Sequence, residues 1–234
     1  MGTACNLERA YMHTTVDITE LLQYGERVTF KKGDCLATSI AGESHGDIFI
    51  LSSGICALSS ISLDGKETTY LYFKREQFVG FTSLMTTFNL NYYGKKTFSI
   101  IAKTPCVAYR ISNRSFQELL GFPSITALMV NTLTENLVYL MEHFHSSKNE
   151  PALVQFSRFL MDQAEQEPSG ELLLDTVFTY QEIASYLGMH SVTIARMVKA
   201  LREEGLIDKV GHQIRIINPQ KMTNLITEEQ KIDY

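Results

Sequence analysis

Three basic side chains recur at intervals of three in a stretch that holds no acidic residue: Arg196, Lys199 and Arg202, between His190 and Arg202. The acids that precede it, Glu165 to Asp175, form a separate group. Ammonium and guanidinium groups bind phosphate oxygens, and arginine pairs in two bonds with O6 and N7 of guanine. The chain as a whole is acidic, with net charge −5 and pI ≈ 5.7. If it binds nucleic acid, it would therefore do so through this one local basic face.

Two short helices are predicted to position this basic stretch. Thr179-Tyr180-Gln181-Glu182 is a capping box that opens a helix from Tyr180 to Leu187. Gly188 permits a tight turn, and a second helix runs from about Ser191 to Glu204 and ends at Gly205. Small or apolar residues occupy the positions at which a helix-turn-helix buries its core. They are Ile183, Ala184, Leu187, Met189, Ile194 and Met197.

A β-hairpin is predicted immediately after the second helix. The strands Leu206 to Lys209 and Gln213 to Ile217 flank a turn at residues 210–212. Residues 171–174 and 177–178 supply strand-like runs for the same small sheet. The pattern indicates a winged helix-turn-helix, a DNA-binding design whose second helix enters the major groove.

The part from about Gly25 to Ile111 has a different pattern of short β-branched and aromatic runs broken by turns. Strands are predicted in residues 47–51, 67–73 and 97–101, with Asp64-Gly65 as the clearest hairpin turn. Many short strands in succession imply a barrel or sandwich. Together with the helices predicted in the C-terminal part, these strands make the predicted fold class α+β.

A long helix is predicted from about Pro123 to Ser147. One set of apolar residues follows the a/d spacing of a coiled coil and predicts a dimer interface: Val130, Leu133, Leu137, Leu140 and Phe144. A second stripe could pack on the barrel: Ile125, Met129, Asn136 and Tyr139. His143 and His145 point about 200° apart on a helix, so they cannot chelate one metal, and a solvated helix end is expected. Residues 146–151 end the helix, which divides the chain into domains 1–149 and 150–234.

Composition excludes several classes of protein. The four cysteines form no C-x-x-C pair, which favours isolated reduced thiols over disulfides or a zinc ribbon. No apolar run approaches the roughly 18 residues of a membrane span, so we expect a cytoplasmic protein with no membrane partner. We also expect no metal and no tightly bound cofactor.

These features resemble the cyclic-AMP receptor protein/FNR family of bacterial transcription regulators. The matching motifs cover nearly the whole chain: Lys32-Gly33-Asp34, Gly42-Glu43, Ser53-Gly54, residues 77–80, residues 102–106, the long helix and the module from Gln181 to Lys209. The resemblance implies a jelly-roll effector domain, a dimerising helix at about 123–147 and a C-terminal DNA reader. It also implies a homodimer on a palindromic operator.

The resemblance implies which residues of the C-terminal DNA reader, residues 150–234, contact DNA. Base contacts are expected at Ser191, Val192 and Arg196. Valine at position 192, where many members have glutamate, could touch only a thymine methyl, which favours A·T there. Phosphate contacts are expected at Thr179, Gln181, His190, Thr193, Lys199 and His212. Residues 166–170 match the surface that touches RNA polymerase in activating relatives.

The effector site departs from the pattern of cyclic-nucleotide binders. After Gly80 the family has a glutamate for the ribose and later an Arg-Ser pair for the phosphate, whereas this chain has Phe81 and Lys96-Thr97. An effector other than cyclic AMP is expected, because neither substitution preserves those bonds. An iron–sulfur cluster is not expected, since Cys5 is the one N-terminal thiol. The candidate effector residues are Val79, Gly80, Phe81, Thr82, Lys95, Lys96, Thr97 and Tyr139.

Two alternatives to an effector-controlled regulator are weighed at the level of sequence, a ligand-independent regulator and an enzyme. The aromatic and lysine residues after Gly80 could be barrel core and solvated surface, with no ligand at all. The protein would then be a ligand-independent dimeric regulator with a vestigial barrel. A cupin-like enzyme would need a His-x-His and Glu metal set on barrel strands, but His45 is the single barrel histidine. No enzyme activity is therefore expected.

Overall fold

The computed structural model describes residues 17–38, 46–62, 67–80 and 98–227. They form two compact units. The first comprises the described residues within Met1–Leu58 and Tyr72–Leu137, and the second those within Ser59–Leu71 and Val138–Tyr234. The two units separate inside the long helix, whereas the predicted domain boundary lies at the end of that helix. The boundary after residue 149 stays a prediction.

The strands of the N-terminal part lie in two four-stranded sheets. The strands are β1 Glu26–Phe30, β2 Cys35–Thr38, β3 Ile48–Ser53, β4 Cys56–Ile61, β5 Glu67–Phe73, β6 Phe78–Val79, β7 Phe98–Ala102 and β8 Cys106–Ile111. Their order is β1-β8-β3-β6 in one sheet and β2-β7-β4-β5 in the other, so that strands distant in sequence pair with one another. This confirms a β-rich jelly-roll domain. The predicted turns at Gly42-Glu43 and Asp64-Gly65 lie outside the described residues.

Strand β3 is buried on both of its faces. Ile48 and Ile50 join a cluster on one face that includes Phe78 and Met129. Phe49 points to the opposite face, because side chains alternate along a strand, and its ring meets that of Phe30 edge-on at 5.8 Å. The β3 strand therefore ties the sheet to the helices that follow it.

The turn between β3 and β4 requires glycine. Gly54 has φ +89°, and a Cβ there would lie 2.4 Å from the carbonyl oxygen of Pro105 and 2.8 Å from Cys106 Sγ. The adjacent Cys56 and Cys106 side chains are fully buried. Burial, and secondarily the neighbouring Cys106 thiol, raise the pKa of Cys56 above its usual range. Burial likewise raises the pKa of Cys106.

The long helix spans Pro123–Asn149 (α2), after a short helix at Asn113–Leu119 (α1). Ile125 and Met129 are buried in the core cluster, as the second apolar stripe predicts. The a/d seam points away from that core. Val130, Leu133, Leu137 and Phe144 are 56%, 48%, 58% and 66% exposed, and Leu140 is half-buried. A 27-residue helix thus leaves one apolar row without cover in the single chain.

The C-terminal part combines helices with a small sheet. Its helices are α3 Ala152–Gln163, α4 Tyr180–Leu187, α5 Ser191–Glu203 and α6 Pro219–Thr227. Its strands are β9 Glu165–Gln166, β10 Leu172–Leu173, β11 Ile207–Val210 and β12 Gln213–Ile216, in the order β11-β12-β10-β9. Residues 177–178 are not a strand, since Phe178 instead fills the core against Phe159. Among the described residues, no helix combines the length and the hydropathy that a membrane span requires.

Candidate nucleic-acid interface

The helix-turn-helix has the predicted internal construction. Thr179 Oγ accepts a hydrogen bond from the amide of Glu182 at 3.2 Å, and Gly188 ends α4 with φ +66°. The amide of Thr179 itself donates to the carbonyl of Val177 at 2.8 Å. Met189, one of the six predicted core residues, is half-buried, and the other five are buried: Ile183, Ala184, Leu187, Ile194 and Met197. These contacts fix the angular position of α5 about its own axis.

The opposite row of α5 faces solvent. Val192 is 70% exposed, and Arg196 and Lys199 are exposed one and two turns further on. Ser191 and Thr193 are half-buried at the first turn of the helix. Because the inward row is packed, the structure places Val192 and Arg196 together on the surface that a groove could receive.

Lys199 and Arg202 of the basic stretch have acidic partners in space. Lys199 Nζ lies 3.7 Å from Glu203 Oε1, and Arg202 Nη2 lies 3.7 Å from Asp208 Oδ1. The absence of acidic residues between His190 and Arg202 therefore does not leave Lys199 and Arg202 without acidic neighbours in the fold. Glu203 directly follows Arg202 and stands four residues after Lys199, a spacing that is a recognisable sequence signal for a helical ion pair.

The wing forms as predicted, and its strands are locked by charge. Asp208 and Arg215 are direct cross-strand partners of β11 and β12. Arg215 donates from Nη1 to Glu171 Oε1 at 2.7 Å and from Nη2 to Asp208 Oδ2 at 3.3 Å. A bond from the Lys209 amide, joined by the Arg215 guanidinium, holds the pKa of Asp208 below its usual range. His212 is exposed in the turn of the wing.

A contact between the wing and α4 was not predicted. Lys209 Nζ lies 4.6 Å from the centroid of the Tyr180 ring, a cation–π distance. Thr179 and Gln181, the predicted phosphate contacts on either side of Tyr180, are exposed. A basic residue next to the wing turn is the only sequence signal for this contact, and it does not identify the ring.

Tyr139 belongs to a polar cluster that sequence reasoning did not identify. Its hydroxyl lies 2.8 Å from that of Tyr186 on α4 and accepts a bond of 3.2 Å from Gln163 Nε2 on α3. Burial raises the pKa of Tyr139, and the bond to Tyr186 partly offsets this. The long helix is thus bonded to the first helix of the DNA reader, and the effector role of Tyr139 stays a prediction.

His143 also belongs to this cluster. Its ring centroid lies 4.5 Å from that of Tyr186, at an angle of 39°. The expected solvated helix end is therefore wrong for His143, which is half-buried, although His145 is exposed. Burial lowers the pKa of His143 from its usual range, because a buried imidazolium loses hydration.

The candidate effector residues are described only in part. Val79 ends β6 and is fully buried, and Gly80 follows it with φ +116°. A Cβ on Gly80 would lie 2.7 Å from the carbonyl oxygen of Asp47, so the segment passes directly over the start of β3. Phe81, Thr82, Lys95, Lys96 and Thr97 lie outside the described residues.

Comparison with known families gives two matches along the chain. Residues 27–121 match the cyclic nucleotide-binding domain, and residues 155–225 match the Crp-like helix-turn-helix domain. The two matches fall on the jelly-roll and on the winged helix-turn-helix respectively. The whole of the long helix, Pro123–Asn149, lies between them.

Two relatives and two solved structures resemble the chain over most of its length. The chain is 25% identical over 184 residues to the probable transcriptional regulator flp of Lacticaseibacillus casei, covering 78% of this chain and 80% of that one. It is 24% identical over 180 residues to the cAMP-activated global transcriptional regulator CRP of Haemophilus influenzae, covering 74% and 77%. The fold matches that of FixK2 from Bradyrhizobium japonicum with a TM-score of 0.69 at 15% identity, over 86% and 96% of the two chains. It matches a CooA mutant from Carboxydothermus hydrogenoformans with a TM-score of 0.67 at 18% identity, over 89% and 90%.

The His143 stack predicts a pH dependence of stability. The folded state favours neutral His143, so its contribution is present above pH 6.5, the usual histidine value, and is lost as the pH falls below it. His143→Phe keeps a ring against Tyr186 but removes the titration. Denaturant unfolding at pH 8 and pH 5 should show a larger loss of unfolding free energy for the wild type than for the variant. Equal losses would contradict the assignment.

Proposed function

We propose that this chain, which belongs to the Crp/Fnr family of DNA-binding transcriptional regulators, binds DNA as a homodimer. Its site would be a palindromic operator, and its binding would respond to a small-molecule effector. The observation that carries the proposal is the two-faced helix α5. Its inward row is buried and its outward row, with Val192 at 70% exposure, is presented beside a wing. A second helix of this kind reads base edges in the major groove.

Base recognition is assigned to the first two turns of α5. Arg196 would pair with guanine O6 and N7, a contact worth about 1–3 kcal/mol of discrimination. Val192 has no donor or acceptor on its side chain, so its contact is apolar and favours a thymine methyl. Ser191, at the first position of the helix, can bond to a base edge or to the sugar-phosphate.

Backbone contacts would set the register of the reader without specifying sequence. The residues assigned to them are Thr179, Gln181, His190, Thr193, Lys199 and His212. All are exposed or half-buried on the helices and wing turn described above. The pairing of Lys199 with Glu203 weakens its claim, because a phosphate must compete with a carboxylate that is already in place.

Dimerisation is assigned to the uncovered seam of the long helix. Val130, Leu133, Leu137, Leu140 and Phe144 repeat at alternating steps of three and four residues, as knobs of a two-stranded coiled coil do. Burial of such side chains is worth about 25 cal/mol per Å² of apolar surface. A paired seam would hold two recognition helices about 34 Å apart, one turn of DNA.

The effector is proposed to be an anionic small molecule with an apolar body, other than cyclic AMP. The support comes from sequence: Phe81 stands where a ribose-binding glutamate is expected, and Lys96-Thr97 where an Arg-Ser pair is expected. Lysines and aromatic rings between 81 and 96 suit such a ligand. Effector binding would shift the crossing of the paired helices between two populations.

RNA polymerase is the proposed partner if the protein activates transcription. The segment 166–170 is exposed and comprises the last residue of β9 and the turn that follows it, which is closed by a 2.8 Å bond from the Glu167 amide to the Glu171 carbonyl. Arg215 holds the Glu171 carboxylate. The turn is thereby attached to the wing sheet rather than free to move independently.

Variants at the two base-reading positions should change affinity and sequence preference in different ways. Arg196→Ala should weaken operator binding by roughly 5-fold to 150-fold, the equivalent of about 1–3 kcal/mol. Val192→Glu should move the preferred base pair opposite position 192 from A·T to C·G, because glutamate accepts from cytosine N4. Selection from a random duplex library, followed by gel-shift titration, measures both effects. Arg114→Ala, on an exposed barrel helix, should change neither, and a strict G·C preference for the wild type would refute the valine assignment.

Charge on the seam should abolish dimerisation. Leu137→Asp places a carboxylate at a core position of the coiled coil, so sedimentation should show monomers and the palindromic operator should be bound more weakly. Val138→Asp is the matched control, because Val138 is similarly exposed at 47% but lies off the seam. Dimers in both variants would show that the chain associates through another surface.

Cyclic AMP should leave operator affinity unchanged, whereas a small-molecule extract of the source cells should change it. Lys95→Ala and Lys96→Ala should reduce the response to the extract, since each removes a cation for an anionic ligand. Gel-shift titrations with and without each addition measure this response. A shift with cyclic AMP would overturn the proposed effector class, and no response to either addition would favour a ligand-independent regulator.

A further inference from the structure

The wing carries a lysine whose charge is held in place without being neutralised. Lys209 Nζ lies 4.6 Å from the centroid of the Tyr180 ring. We propose that Lys209, positioned by Tyr180, binds a phosphate of the DNA backbone and supplies a sequence-independent part of the affinity. This inference rests on the proposed DNA-binding function and adds to it a contact that the sequence did not predict.

Strand geometry places Lys209 on a different face from its acidic neighbour. Side chains alternate along β11, so Asp208 and Lys209 point to opposite sides of the sheet. Asp208 pairs with Arg215 across the strands and lies 3.7 Å from Arg202. Lys209 instead pairs in register with Ile214 and reaches Tyr180, the first residue of α4. The carboxylate that is nearest in sequence is thereby directed toward other cations.

Other cations of the reader are compensated by carboxylates. Lys199 pairs with Glu203, Arg202 with Asp208, and Arg215 with both Glu171 and Asp208. Lys221 pairs with Glu204 at 3.3 Å. Among the residues described between 150 and 227, no carboxylate forms an ion pair with Lys209. Its full positive charge is therefore available to an external anion.

The ring of Tyr180 suits this role because of the kind of attraction it offers. An aromatic face attracts an ammonium group through its quadrupole and adds no negative charge. The ring thus orients a flexible side chain and reduces the conformational entropy that the chain would lose on binding. A carboxylate in the same place would compete with the phosphate, whereas the ring leaves the outer side of the ammonium accessible.

The position of the ammonium agrees with that of the other proposed backbone contacts. Tyr180 lies between Thr179 and Gln181, both exposed and both assigned to phosphate. Lys209 is exposed and lies three residues before His212, in the turn of the wing. Lys209 therefore lies between two groups of assigned contacts, and its charge is a better candidate than that of Lys199 for the electrostatic part of binding.

Salt titration of DNA binding tests the inference. Operator selected from a random library and a scrambled duplex of equal length are titrated by fluorescence anisotropy at several KCl concentrations. Lys209→Gln should weaken binding to both duplexes by the same factor, roughly fivefold to tenfold at 0.1 M salt. The slope of log K against log salt should become shallower by about 0.9, the value for one phosphate contact. Lys209→Arg should restore both, and Lys221→Gln, which removes an ion-paired lysine, should match the wild type.

The role of the ring is tested separately. Tyr180→Phe keeps the aromatic face and should bind both duplexes as the wild type does. Tyr180→Leu should lower the affinity for both duplexes by the same factor, and by a smaller factor than Lys209→Gln does. Thermal melting of each variant shows whether the DNA-binding domain remains folded. If Tyr180 served only to stabilise the fold, Tyr180→Leu would lower the melting temperature, whereas the proposed role leaves it unchanged.

Each contrary outcome identifies what has failed. Wild-type slope and affinity in Lys209→Gln would overturn the inference while the proposed function stands. A variant that loses operator binding but keeps binding to the scrambled duplex would make Lys209 a base contact and also overturn it. Tyr180→Leu with wild-type affinity would overturn the role of the ring. A wild-type protein that binds neither duplex would refute the proposed function itself.

Discussion

The burial of one row of side chains on α5 sets what the reader presents to DNA. Ile194 and Met197 are completely buried, as is Leu201 one turn later. Rotating the helix to expose any of them would cost about 1.5–3 kcal/mol for each side chain. The outward row, with Val192 and Arg196, is therefore fixed by packing on the opposite side of the same helix. The capped start of α4 and the left-handed conformation of Gly188 at its end then fix where α5 begins.

Charge and aromatic contacts arrange the groups around this fixed helix. Arg215 joins the base of the exposed 166–170 turn to the wing, and Asp208 joins the wing to the end of α5. The hydroxyls of Tyr139 and Tyr186 join the long helix to α4. A change in the long helix therefore has a bonded route to the first helix of the reader, and from there through shared packing to the recognition helix.

The features that could be predicted from sequence are local ones. The capping residue Thr179, the glycine at 188 and the apolar spacing of the two helices of the helix-turn-helix each act over a few residues, and each is confirmed. The missed contacts join positions far apart in the chain, such as Tyr180 with Lys209 and Tyr139 with Tyr186. Nothing in either segment alone identifies the partner, because the fold brings them together. The pair of Lys199 with Glu203 is different, since its four-residue spacing on one helix is a local signal in the sequence.

The tight turn at Gly54 has a chemical consequence for the barrel. It closes over Cys106 beside Cys56, and both thiols are buried with raised pKa values. Oxidants and alkylating reagents react with thiolate rather than thiol. These two sulfurs are therefore protected twice, by the lack of an approach path and by the small fraction that is ionised. Among the cysteines of the described residues, the exposed Cys35 is the one that reactive oxygen species would meet first.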